Sequence, residues 1–141
     1  MLDEARLFWR LHAVTVEVAV LRAEATADQA RRGDPLWLRG TKYAYLTAIE
    51  CCADVVQHVC AEEGWGRLDD DGDAMRSAGE HGLLPGDLAA SMRRLVAFRD
   101  TLVHRHLDAD DQLTERLSDL DALDAFVAAV AEFTERRAGE G

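Results

Sequence analysis

The chain is short of several things. It has two prolines, three cysteines, six per cent aromatic residues and a single lysine, Lys42, among 141 residues. Ala, Leu, Val, Arg, Asp and Glu dominate instead, which is the composition of a helical protein. The apolar runs are too short to span a bilayer, and Met1-Leu-Asp-Glu-Ala-Arg6 is charged from its third residue. These features predict a cytoplasmic protein with no membrane association. Positive charge is also lacking: the formal net charge is −11, which excludes broad, non-specific affinity for nucleic acid but leaves room for a small basic cleft. Fifteen of the sixteen basic residues are arginines, so a phosphate contact would be a fork rather than a point charge. Cys51, Cys52 and Cys60 are odd in number and lack the spacing of a metal clip or redox pair. They read as buried free thiols.

The length suits one domain, residues 1–141. Four long helical patterns and one short one run along it. The first spans about Asp3 to Arg31, with Leu7, Leu11, Val14, Val18, Leu21 and Ala25 as one seam. Gly33 and Pro35 break it. The second spans about Leu36 to Glu63 and buries a broad stripe around Tyr45, Ile49, Cys52, Val56 and Val59. Gly64-Trp-Gly66 closes it. The acidic turn Asp69-Asp-Asp-Gly-Asp73 invites a calcium loop, but with Gly72 at the loop glycine the first ligand would be Arg67 and the bidentate acid Ala78. A short helix from about Asp73 to Glu80 follows. Asp87 is placed to cap a fourth pattern ending near Leu107, and the last runs from about Asp111 to Arg137, burying Leu113, Leu117, Leu120, Val127 and Ala131. No strand, repeat or low-complexity tract is visible. The expected fold is all-α, an up-and-down bundle of four long helices plus one short helix.

Chemistry concentrates in Arg99-Asp-Thr-Leu-Val-His104-Arg-His106, which holds two of the five histidines. Arginine matches phosphate with two parallel hydrogen bonds. Histidine exchanges protons near neutrality. At roughly 100° per residue, Arg99 and His106 share a helix face, while His104 stacks one turn beyond Asp100, whose carboxylate could orient its imidazole. Arg99 could equally be a surface ion-pair partner of Glu50 or Asp54, and His104 and His106 could simply be solvated at a helix end. His12, His58 and His81 lack partners at metal-ligand spacing. Trp9, Trp37 and Trp65 mark helix ends as packing anchors and form no base-stacking platform.

Arginine, four residues, then histidine, late in a helical bundle, resembles the HEPN superfamily and more narrowly its HepT-like toxins. Tyr45-Leu-Thr-Ala-Ile-Glu50-Cys-Cys-Ala-Asp54 is similar to that family's second-helix pattern, and Gly82-Leu-Leu-Pro85 to its connection before the motif helix. The likeness covers about residues 37 to 137. It implies a toxin of a toxin–antitoxin pair, a metal-independent endoribonuclease that needs no cofactor. It also implies a homodimer in which Arg99 and His104 of both copies meet in one cleft, supported by Asp100, His106, Glu50 and Asp54. The implied partner is an MNT-type nucleotidyltransferase antitoxin. The family's tyrosine two residues past the motif histidine, which the antitoxin modifies with AMP, is His106 here, so that route of neutralisation is closed at this position. The alternative function is a non-catalytic HEPN-like binding module that partners a nucleotidyltransferase, which the acidic body would suit.

Overall fold

A computed structural model describes residues 1–66, 68–104 and 112–140. Among the described residues seven helices follow one another: α1 Glu4–Glu24, α2 Gln29–Arg32, α3 Pro35–Glu63, α4 Asp71–Glu80, α5 Gly86–His104, α6 at 112–116 and α7 Asp121–Glu140. No strand occurs among them. The bundle of four long helices is thus as expected, with α4 as the anticipated short helix and two further short ones.

Local chemistry sets the ends. The Asp3 carboxylate accepts the Arg6 amide and Asp70 accepts that of Asp73, each satisfying an orphan first-turn donor. Pro35 opens α3 behind the Asp34 cap, and Gly64 closes it in the left-handed conformation at φ 69°. Leu7, Val14, Val18 and Leu21 of α1 pack on α3, the central helix, which is buried from Trp37 to Cys60 along most of its circumference. All three cysteines are free and buried. At the crossing of α4 and α5, a Cβ on Gly79 would lie 2.7 Å from that of Ala89, so the two helices meet only because residue 79 has no side chain.

Three boundaries differ from expectation. α1 stops at Glu24 rather than Arg31, because Arg32 folds back to donate to the carbonyls of Ala25 and Ala27, and Asp28 caps a separate turn. Asp87 lies inside the first turn of α5, accepting from the Leu88 amide, instead of preceding the helix. The last pattern is two helices, not one. The chain turns at 117–120, where Ser118 donates to the Glu115 carbonyl and the Leu120 carbonyl starts α7. That break shifts the helical phase. Leu113, Leu117 and Leu120 are buried as expected, but Val127 is only half-buried and Ala131 exposed, and Leu123, Phe126, Val130 and Phe133 fill the core. The expected helix ends near Leu107 and Asp111 lie outside the described residues.

Candidate active site

Arg99 reaches its position through its neighbour. Phe98 packs edge-on against buried Tyr45 of α3, ring centroids 5.8 Å apart, and the Arg116 guanidinium lies over the Phe98 ring, 3.9 Å from its centroid. With that side chain clamped, Arg99 lies along the α4–α5 junction, only 9% exposed. Its Nη1 donates to Asp71 Oδ2 at 2.8 Å, and its Nε and Nη2 donate to Asp100 Oδ1 at 3.1 and 2.9 Å. Glu50 Oε1 lies 3.5 Å from Nη1. Burial pushes the guanidinium pKa down, but the hydrogen bonds to Asp71 and Asp100 outweigh it and the net shift is upward. Arg99 is therefore a fixed cation. Asp71 is itself held, accepting from Gln57 Nε2 at 3.1 Å in the first turn of α4.

Three carboxylates thus surround one guanidinium. The forked Nε/Nη2 edge, the one best suited to phosphate, is taken by Asp100. That carboxylate is 59% exposed, whereas Asp71 is 27% exposed. Asp100 is the arm that an incoming anion can displace against water, and Asp71 is the anchor. The junction opens into a cleft of about 550 Å³ whose walls include Asp71, Asp73, Ala97 and the three arginines 93, 94 and 99 of α5.

Glu50 is brought to Arg99. Asp54, four residues on, is not: it faces α1, 3.6 Å from Arg10, with both side chains about half exposed. Asp100 gives its oxygen to Arg99 instead of aligning His104. His104 is the last described residue of α5 and exposed, about 7.5 Å further along the helix axis than Arg99. His106 lies outside the described residues. Asp71 belongs to the site although its sequence neighbourhood reads as a solvated acidic turn. The signal was there in outline: an acid at the first turn of a helix that packs on the Arg99 helix.

The remaining histidines have structural partners. His58 Nε2 accepts the Asp3 amide, and His81 stacks on Trp65 at 4.7 Å while its Nδ1 lies 2.9 Å from the Ser77 carbonyl. Trp37 donates to Glu24 Oε2 at 2.8 Å across the α1–α3 contact. Trp9 and Tyr43, by contrast, are 65% and 70% exposed.

The sequence model of the family described as "Ribonuclease HepT-like" matches residues 13–130. An Archaeoglobus fulgidus protein named as a candidate RNase is 28% identical over 102 residues, 72% of this chain and 73% of that protein. Among solved structures, a mutant of the toxin–antitoxin pair MntA-HpeT superposes with a TM-score of 0.82 at 12% identity, over 91% of this chain and 98% of that one. A tri-AMPylated Shewanella oneidensis HEPN toxin in complex with an MNT antitoxin gives 0.78 at 14% identity, over 94% and 99%. YutE, a cytosolic Bacillus subtilis protein, gives 0.82 at 18% identity, over 96% and 93%. At such identities the superpositions speak for the fold.

Proposed function

Because the chain belongs to the ribonuclease HepT-like family of endoribonucleases, we propose that it is a toxin that cuts RNA without a metal, using Arg99 and His104. The observation that carries this reading is the anchored, exchangeable geometry of Arg99: Asp71 fixes one side of the guanidinium while exposed Asp100 covers the edge a phosphate would take. On RNA binding, the scissile phosphate replaces Asp100 on Nε and Nη2. The 2′-hydroxyl then attacks the adjacent phosphorus, a histidine takes its proton, and a second histidine protonates the leaving 5′-oxygen. Arg99 stabilises the charge that grows on the non-bridging oxygens.

Two histidines are supplied most simply by two copies of His104. On α3 the spacing of Leu36, Tyr43 and Glu50 is seven residues, so all three share one face. Leu36 and Tyr43 are about 70% exposed, and Val103, beside His104, is 48% exposed. An apolar surface that begins at the site supports a homodimer closing over it. Asp100 and Glu50 tune the cleft, with His106 as an outer support, and Asp54, held on the α1 side by Arg10, takes no part in it. The restraining partner is an MNT-type nucleotidyltransferase, as in the solved complexes, acting by steric masking because His106 cannot take the modification made on a tyrosine hydroxyl.

The experiment is cleavage of matched RNA and all-DNA oligonucleotides. RNA cut to a 2′,3′-cyclic phosphate with the DNA left intact supports the reading. Cleavage of the DNA contradicts it, since the nucleophile would be missing. The surplus of carboxylates around Arg99 favours a second reading, a binding module in which the arginine is a permanent structural ion pair. That reading predicts partner binding with no cleavage of any RNA.

A further inference from the structure

The cleft at Arg99 does not end there. Toward the start of α5 a second cleft of about 310 Å³ follows along the α4–α5 junction, and Ala90 and Arg93 line both. The two make one groove, with Arg93 where they join. Helical phase sets the direction of that side chain. Arg93, Ala97, Asp100 and His104 recur at intervals of four, three and four residues, so they share one face of α5. Arg93 lies about 10 Å along the helix axis from Asp100.

The carboxylates of the groove are already engaged. Asp71 and Asp100 hold Arg99. Asp73 and Glu80 flank Arg76 at 3.2 and 3.7 Å, and the Asp70 carboxylate caps α4. Arg94, on the rim, donates to Ser91 Oγ at 3.0 Å. Arg93 is exposed, and among the described residues no carboxylate lies within ion-pair distance of it. Acids outnumber bases by 27 to 16 in this chain, so a guanidinium left over inside a cleft is a notable exception. Its fork suits a phosphate that arrives from outside.

We propose, on the ribonuclease reading above, that this groove seats an unpaired RNA strand and that Arg93 binds one of its backbone phosphates. That reading puts the scissile phosphate on Arg99 and a proton carrier at His104. A strand that passes both lies along the α5 face that carries Arg93. Phosphates follow one another at about 3.4 Å in a stacked strand and further apart in an extended one, so the 10 Å step is about two or three nucleotides. Helices in contact stand about 8–10 Å apart, and α4 and α5 touch at Gly79 and Ala89. A groove between them admits a single strand and is too narrow for a duplex.

The test is equilibrium binding of the full chain to a fluorescent 2′-O-methyl octanucleotide, which lacks the attacking hydroxyl and stays intact, over a range of salt. Arg93→Gln is expected to weaken binding about tenfold at low salt and to flatten the slope of log affinity against log salt by about 0.7, the value of one phosphate contact on a single strand. Arg93→Lys keeps the charge and is expected to restore the slope. Arg6→Gln makes the same change in net charge on α1, which packs on α3 and α7, and is expected to leave the slope alone. The duplex of the same sequence is expected to bind at least tenfold more weakly than the single strand. Four results would overturn the proposal: no RNA binding by the wild type, an unchanged slope for Arg93→Gln, equal effects of Arg93→Gln and Arg6→Gln, or a duplex that binds as well as the single strand. Cleavage of the matching RNA separates this subsite from the reading beneath it. An Arg93-dependent slope without cutting keeps the subsite and removes the nuclease; cutting with Arg93-independent binding does the reverse.

Discussion

Arg99 is held by groups from three helices, and their roles separate by burial. Asp71 is the inner anchor, so Asp71→Asn keeps an acceptor for Nη1 but weakens the hold on the cation. The expected result is a fall in kcat/KM for RNA, measured beside a loss of roughly 1 kcal/mol in denaturant unfolding. Unchanged kinetics with the same stability loss would make Asp71 purely structural. The three thiols make a separate prediction. Burial raises the pKa of each, that of Cys52 most strongly, so none is reactive in the native protein. Iodoacetamide at neutral pH should modify them only after denaturant is added. At this scale the nearness of Glu50 to Arg99 was legible, as one of the two ion pairs the sequence offers. Asp71 was not, because in the run from Asp69 to Asp73 nothing but the return of the chain onto α5 distinguishes it from its neighbours.

Single contacts at helix ends decide how the elements lie. Glu24 closes α1 and holds both later helices, accepting from Arg31 Nε at 2.6 Å and from the Trp37 indole. The Arg31 hydrogen bond, then that of Trp37, draws its pKa from the ordinary 4.5 down to about 2. A carboxyl with a depressed folded-state pKa stabilises above its unfolded value and loses that contribution as pH falls through the folded one. Stability is therefore expected to decline between pH 4.5 and about 2 with a component that Glu24→Gln abolishes. Equal acid profiles for the two proteins would show that the clasp contributes nothing. At the α4–α5 crossing, Gly79→Val drives a side chain into Ala89 and is expected to cost about 1–3 kcal/mol, read as a lower Tm. The four long helices and α4 were legible, since a 3.6-residue period survives without tertiary context, whereas α2 and α6 are too short to show one. Two ends were not. The stop at Glu24 depends on Arg32 reaching back to Ala25 and Ala27, and the turn at 117–120 sits between two patterns that are both apolar, so continuity was the simpler reading.

The whole molecule sets an acidic body, net −11, around a guanidinium that its own carboxylates already neutralise. Long-range attraction for RNA is weak in such a protein. Specificity has to come from contact in the cleft, where phosphate exchanges with Asp100. The fold class and the family were legible because motif, helix order and second-helix pattern agree. Trp9 was expected as a packing anchor and is 65% exposed, since it lies on α1 opposite the Leu7–Leu21 seam and only packing shows which apolar side of a helix is spent. The central claim, that Arg99 and His104 form the active site of a ribonuclease that needs no metal, is tested most directly by RNA cleavage in EDTA, wild type beside His104→Ala. The account predicts EDTA-resistant cutting by the wild type and its loss in the variant with helicity retained. Equal cutting by both, or cutting that EDTA abolishes, would contradict it.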